Sequence, residues 1–404
     1  MRIVVLTPTF LPAVGGAELV ILQVYRRLAT RHAVLVLTPY LSKKLVQSSG
    51  SQEYDPLINF AVEHYHDRFS LMYIRGHRVS GGLIPPFSLS AVSALQRATR
   101  DFKPDVINVH YVMPTGLAGF YAQRVLKCPV VITYNGRDVP GPHVPPLWKY
   151  WHRWIGRHCA DMTFVSQYCR DVIYGPQSAA GHVVYNGVNA GGAVEPQHVK
   201  ALRHQLQLRA EAQVLFALQR LDYVKRVDIL IRSMPQILAR RPHTYLVIGG
   251  QGSDRPRLEK LAAALGVAER VIFTGFIPEA ILPVYLAMAD LFVFHSTYET
   301  FGMVLAEAMY YGKAVVAVRN TAIPEVVDEG ESGLLVPALD PPAFAAAVLC
   351  LLEDDPRRHA MGHHGREHAR AVFSWDAIAE QYEAVLARAW KSSQGRSRSR
   401  PAGG

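Results

Sequence analysis

The stretch DLFVFHSTYETFGMVLAEAM, residues 290–309, reads as strand, loop and helix. Leu291 to Phe294 is an unbroken β-rich apolar run, the pattern of a strand covered on both faces. The chain then turns polar, passes Gly302, and takes up an apolar helical pattern from Met303. Strand, loop and helix in that order build a parallel sheet. Glu299 stands before the turn, and Glu307 lies about one turn inside the helix, at ~3.6 residues per turn. Free N–H groups at a helix start attract anions. Two carboxylates bordering that place call for a ligand anionic in one part and rich in hydroxyls in another.

The same unit recurs in both directions. QVLFALQ, TYLVIGG, RVIFTGF, KAVVAV and GLLVP are further strands of the second half, separated by helical patterns. RIVVLTPTF, HAVLVLTPY, DVINVHYV, PVVITYN, DMTFVS and HVVYN make a similar series in the first half. The expected architecture is α/β, with two doubly wound Rossmann-like domains facing a central cleft. The boundaries are 1–190 for the first domain, 191–210 for a Gly/Pro-containing linker, and 211–372 for the second domain. A last helix over 373–390 crosses back to the first domain, and 391–404 is a disordered basic tail.

Composition bounds the function classes. Of 404 residues, 50% are hydrophobic and 19% charged, enough for two cores. Cys128, Cys159, Cys169 and Cys350 form no C-x-x-C pair, which speaks against a zinc or disulfide framework. The start, MRIVVLTPTFLPAVGGAE, is broken by prolines and reads as a strand rather than a signal peptide. No apolar run reaches the ~18 residues of a membrane span. A cytoplasmic protein is expected, peripheral at the inner membrane face if it touches membrane at all. The net charge of +10 is uneven: residues 1–190 hold 19 Lys and Arg against 10 acids, residues 191–390 hold 20 against 23. The basic first half suits an anionic partner such as a membrane surface, and no nucleic acid is expected.

Candidate site residues fall at strand ends. Gly15 and Gly16 follow the first strand and open a helix, where backbone can approach a phosphate or sugar, and they are donor-binding candidates. In LQRLDYVKRVDIL, Arg220 and Lys225 follow a strand and suit a diphosphate. VIGGQGSDRPRL fails the dinucleotide pattern, because Arg255 stands at its last position, yet Gly250 remains a donor-side candidate. Thr300, Phe301, Gly302, Met303 and Val304 form the turn and helix start that would hold phosphates. Glu307 can accept both hydrogen bonds from a ribose diol, and Glu299 those of sugar hydroxyls beyond the phosphates. The constellation is a grip for a nucleotide sugar.

These residues carry a resemblance. GGAE near the start, NGVN at 186–189, Arg220 and Lys225, TGF at 274–276, E-T-F-G-x-x-x-x-E from Glu299 to Glu307, and SGLLV at 332–336 are similar to retaining glycosyltransferase family four, of the GT-B fold. The similarity spans nearly all of the ordered chain. It implies transfer of a sugar from a nucleoside diphosphate sugar to a glycan or lipid-linked acceptor, with retention at the anomeric carbon. It also implies that no metal or other cofactor is needed. Arg220 and Lys225 would stabilise the leaving diphosphate. Glu299 would read the sugar, Glu307 the ribose, and Phe276 would border the base. No two aspartates stand two apart, so the metal-binding Asp-x-Asp pair of the other common glycosyltransferase fold is missing.

Some positions depart from the family. Asn135, on the acceptor side, stands where histidine often precedes glycine. Thr321-Ala322 replaces a common Gly-Gly pair. His110, at another strand end, is a candidate for sugar contact. HHGREHA contains an H-x-x-E-H pattern at His364, Glu367 and His368, read as a solvated helix face because no third ligand follows. In PPLWKYWHRWIGRH, tryptophans alternate with Lys149, Arg153 and Arg157. Burial of the tryptophans in the first core is expected, with a membrane interface as the alternative. Two other functions fit the residues: a nucleotide-sugar 2-epimerase, and a non-catalytic sugar-nucleotide-binding subunit.

Overall fold

The computed structural model describes residues 1–12, 15–40, 55–67, 87–136, 139, 146–189 and 191–398. The chain divides into two compact units, Met1–Asn186 with the segment from Trp375 onward, and Gly187–Ser374.

The first unit contains β1 (Arg2–Leu6), α1 (Gly16–Leu28), β2 (Ala33–Pro39), β3 (Ala61–Tyr65), α2 (Leu89–Asp101), β4 (Val106–His110), α3 (Gly116–Arg124), β5 (Val130–Tyr134), α4 (Pro146–Arg157), β6 (Asp161–Phe164), α5 (Gln167–Tyr174) and β7 (His182–Val183). The sheet order is β3-β2-β1-β4-β5-β6-β7, and every pairing is parallel. Val4 lies opposite Leu35 on one side and Ile107 on the other. The central strands β1, β4 and β5 are buried almost throughout because helices cover both faces. Ser88 and Ser166 start α2 and α5 by accepting the Ala91 and Cys169 N–H groups, both at 3.1 Å.

The second unit contains α6 (Pro196–Gln205), β8 (Gln213–Leu218), α7 (Val227–Arg240), β9 (Thr244–Gly249), α8 (Arg255–Ala264), β10 (Val271–Gly275), α9 (Leu282–Met288), β11 (Leu291–Phe294), α10 (Met303–Tyr310), β12 (Val315–Val318), β13 (Gly333–Val336), α11 (Pro341–Leu352) and α12 (Asp355–Val372). Its sheet order is β10-β9-β8-β11-β12-β13, again parallel throughout. In each unit the strand order reverses beside the first strand, at β1/β4 and at β8/β11. Ligands of such sheets bind outside the carboxyl ends at that reversal.

The last helix, α13 (Trp375–Arg398), belongs to the first unit and packs on α1. It buries Ile378, Tyr382, Val385, Leu386 and Ala389 along one stripe. Arg27–Asp376 at 2.6 Å and Arg31 and His32 to Glu383 at 2.8 Å pin it. Two expectations need correcting. The stretch 191–210 holds a helix, α6, and α13 continues through 391–398, which composition assigns to a disordered tail. Residues 399–404 lie outside the described residues. Among the described residues no helix is long and apolar enough to cross a membrane.

Candidate functional site

In the second unit the loops leaving β8 and β11 are tied together. The Thr297 N–H donates to the Val224 carbonyl at 2.9 Å. Lys225 Nζ donates to Glu299 Oε2 at 2.7 Å, with side chains 15% and 17% exposed. The other Glu299 oxygen accepts the Thr300 N–H at 3.2 Å. The backbone of Glu299 is held too: its N–H donates to Thr321 Oγ1 at 3.1 Å, and its carbonyl accepts the Ala322 N–H at 3.3 Å. Thr321 sits at φ +51°, in the left-handed region where glycine is at ease. Its hydroxyl gives back a hydrogen bond that glycine could not.

Arg220 is the more open cation. Its side chain is 74% exposed and lies 3.1 Å from Asp222. Asp222 also caps the short turn Tyr223–Lys225 by accepting the Lys225 N–H. The Gly250–Gly252 loop packs directly on this segment: the Leu221 N–H donates to the Gln251 carbonyl at 2.9 Å. A Cβ at Gly250 or Gly252 would collide with the carbonyl oxygen of Gln219 or Leu221. Gly250 therefore has a backbone-packing reason to be glycine, whatever it does for a ligand. Phe276, after β10, is 61% exposed and free to border a flat group.

Gly302 is the residue before α10 and has φ +97°, a conformation suited to glycine. The Leu305 N–H turns back to the Gly302 carbonyl at 2.9 Å. The Met303 and Val304 N–H groups precede the helical ladder and have no intrahelical acceptor. Thr300 is half-buried and Phe301 is buried, its ring 5.3 Å from that of Phe373. Phe301 thus anchors the turn rather than meeting a ligand. Glu307 lies along α10, its carboxyl pushed up to about 8 by burial and then by the Glu279 carboxylate. Glu279 in turn accepts a hydrogen bond from Asn189 Nδ2. The arrangement offers N–H groups and cations for phosphate oxygens, and carboxylates for hydroxyls.

In the first unit Gly15 precedes α1 and Gly16 opens it. The carboxylate of Glu18, a buried residue, accepts from Thr9 Oγ1, and a Cβ at Gly15 would lie 2.6 Å from it. A negative charge already occupies this helix start, so the loop suits a neutral hydroxyl better than a phosphate. Asn135 and His110 end β5 and β4. Both are buried, and Asn135 Nδ2 faces His110 Nδ1 at 3.3 Å. Burial lowers the His110 imidazole to about 3, so it is neutral. It lies 5.9 Å edge-on to Tyr25 and 6.3 Å from Tyr382, stacked. With no exposed surface, His110 is placed to hold Asn135 and not to touch a sugar. Asn135 Oδ1 has no hydrogen-bond partner among the described residues.

His364 and His368 turn toward Asp328 at 3.5 and 3.0 Å, whereas Glu367 faces Arg370. Among the described residues no three His, Cys, Asp or Glu side chains are grouped to hold a metal ion.

Comparison with known proteins identifies the family. The Glycosyltransferase Family 4 profile matches residues 14–191, and the Glycosyl transferases group 1 profile matches 199–368. A GDP-mannose-dependent α-(1-6)-phosphatidylinositol monomannoside mannosyltransferase of Mycolicibacterium smegmatis is 35% identical over 65% of this chain and 71% of its own length. The chain belongs to glycosyltransferase family 4. Another similar protein is an N-acetyl-α-D-glucosaminyl L-malate synthase of Bacillus anthracis, 24% identical over 93% of this chain and 95% of that one. Among solved structures, HepE of Anabaena in complex with UDP and glucose superposes with a TM-score of 0.78 at 23% identity, over 96% of this chain and 99% of that one. The GT-B fold of this family 4 chain is thus shared with known glycosyltransferases.

Three residues of this family 4 site escape a reading of the sequence. Glu18 lies inside GGAE and Asn189 inside NGVN, so their motifs were visible although their partners were not. Glu279 carries no local signal.

Proposed function

We propose that this family 4 glycosyltransferase moves a sugar from a nucleoside diphosphate sugar to a hydroxyl of a glycan or lipid-linked acceptor, with retention and without a metal. The observation that carries the reading is the meeting of two loops at the β8/β11 reversal. They pair Lys225 with Glu299 beside the start of α10, where the first N–H groups, of Met303 and Val304, lack an intrahelical acceptor and Glu307 follows one turn along. The names of the relatives support a nucleotide-sugar donor: one uses GDP-mannose, and the Anabaena structure holds UDP and glucose.

In this reading the diphosphate lies against Arg220, Lys225 and the start of α10. The bond between the anomeric carbon and the diphosphate oxygen breaks, and negative charge grows on that oxygen. Preorganised cations and N–H groups stabilise it. Lys225 is held in place by Glu299 and turns one of its protons toward phosphate. Glu299 then has lone pairs for sugar hydroxyls, and Glu307 accepts from the ribose diol. The acceptor hydroxyl bonds to the anomeric carbon on the face the diphosphate leaves, and its proton passes to the departing phosphate oxygen. The first unit serves the acceptor: the Gly15–Gly16 loop, a donor-side candidate in the sequence, offers backbone to a neutral hydroxyl, and Asn135, as buried as His110, supports that wall from behind.

Incubation with GDP- and UDP-sugars in excess chelator, with and without glycolipid acceptors, tests this, with product anomers read by NMR. The expected result is acceptor-dependent transfer with the donor's anomeric configuration. Conversion of donor to its 2-epimer without acceptor would make the protein an isomerase. Binding without turnover across the donors and acceptors would make it a binding subunit. A rate lost to chelator and restored by magnesium or manganese would overturn metal independence.

A further inference from the structure

The α3–α4 face of the first unit carries an aromatic patch that the sequence assigned to the core. His152 and Ile155 of α4 point inward and are buried. Tyr150, Trp151 and Trp154 are 66%, 37% and 40% exposed. The Trp151 and Trp154 rings are 5.7 Å apart, and Phe120 of α3 lies 4.5 Å from Trp154. Val125, just after α3, adds another exposed apolar side chain. Tryptophan and tyrosine pair an apolar body with a polar tip, the combination favoured where hydrocarbon meets water.

Cations outnumber acids around the patch. Arg124, Lys127 and Arg157 are exposed, and Lys149 is half-buried. From Asp105 to Asp161 the chain has six Lys and Arg against three acids, Asp105, Asp138 and Asp161. A second copy of the chain is a poor occupant, because a two-fold contact sets like patches face to face and opposes these cations. An anionic sheet of headgroups complements them.

We propose that this face docks on an anionic lipid bilayer, with Trp151 and Trp154 at the headgroup level and Arg124, Lys127 and Arg157 against lipid phosphates. The inference does not depend on the transfer reaction.

The test is partition of the full chain onto vesicles of phosphatidylcholine alone, or mixed with phosphatidylglycerol, without donor. Binding to the mixed vesicles is expected, weakening as salt shortens the screening length to ~8 Å and below. Brominated lipid should quench tryptophan emission. A triple variant, R124Q/K127Q/R157Q, loses roughly a hundredfold in partition, at ~1 kcal/mol per basic residue. W151S/W154S loses the quenching. Circular dichroism checks that each variant folds. Should the tryptophan variant fail to fold, the charge variant carries the test alone. Equal partition onto neutral and anionic vesicles, or an unchanged triple variant, overturns the proposal. So does a dimer in lipid-free solution that W151S/W154S dissolves.

Discussion

Breaking the Lys225–Glu299 pair should reveal an energetic coupling between the two loops. The nitrogen–oxygen distance is 2.7 Å and both side chains are largely shielded. A hydrogen bond to a charged group in such a place is worth ~1.5–3 kcal/mol. Lys225→Met and Glu299→Gln should each destabilise the second unit by about that amount. At ~2–4 °C per kcal/mol for a domain of this size, each lowers its melting by roughly 3–12 °C. The double variant should cost about as much as one single, because each single already removes the pair. Calorimetry is the right assay, since all five tryptophans lie outside Gly187–Ser374 and fluorescence would miss the transition. Binding should then separate the partners. Glu299→Gln leaves Lys225 uncompensated beside the phosphates, so nucleoside diphosphate affinity holds or rises while transfer falls. Lys225→Met weakens both. Additivity of the singles within ~0.3–0.5 kcal/mol would refute the coupling.

Glu307, raised to about 8, is mostly protonated at pH 7 in the free protein, yet a ribose diol asks for its carboxylate. Nucleoside diphosphate affinity should rise with pH up to about 8, and calorimetry at pH 7 in buffers of different ionisation heat should show proton release. Glu307→Gln should flatten both signals. The folded state also keeps a proton that the unfolded chain loses near ~4.3, so this group's contribution to stability is full below that pH and lost as pH rises through about 8, which Glu307→Gln abolishes. Gly250→Ala, which drives a methyl into the Gln219 carbonyl at φ +122°, should destabilise the second unit by more than ~1 kcal/mol and weaken donor binding through Arg220; an unchanged melting curve would contradict it. Thr321→Val, which keeps shape but strands the Glu299 N–H, should cost ~1–3 kcal/mol in stability, and Thr321→Gly should recover part of that by relieving the φ +51° strain; equal melting of both variants would count against the strained-hydroxyl reading.

Much of this was legible because buried parallel strands announce themselves. Except for the half-buried edge strand Val271–Gly275, the strands of the second unit are short apolar β-rich runs that are largely buried, so sequence pattern and burial agree. The strand that escaped, Ala61–Tyr65, is an edge strand of sequence AVEHY with only Tyr65 buried. Helix Pro196–Gln205 was missed for a similar reason, since only Leu202 in it is buried. The polar end of α13 lacks an apolar stripe beyond Ala389, and composition alone reads it as coil. At the site, Gly302 and the two glutamates were readable because a left-handed turn before a helix has a local signature. The Lys225–Glu299 pair was not, since it joins residues 74 apart that meet only because β8 and β11 are neighbours. The burial of His110 and the exposure of Trp151 and Trp154 were equally hidden. An alternating strand or an aromatic helix does not say which face the rest of the fold will cover.

The most direct measurement is a calorimetric titration of GDP and UDP onto the chain in excess chelator. One saturable site for one or both bases is predicted, weakened roughly ten- to hundredfold in Lys225→Met, as expected for a lost hydrogen bond to a charged group of ~1.5–3 kcal/mol. Absence of binding by either diphosphate, or binding of full strength in Lys225→Met, would contradict the placement of the donor at the β8/β11 reversal.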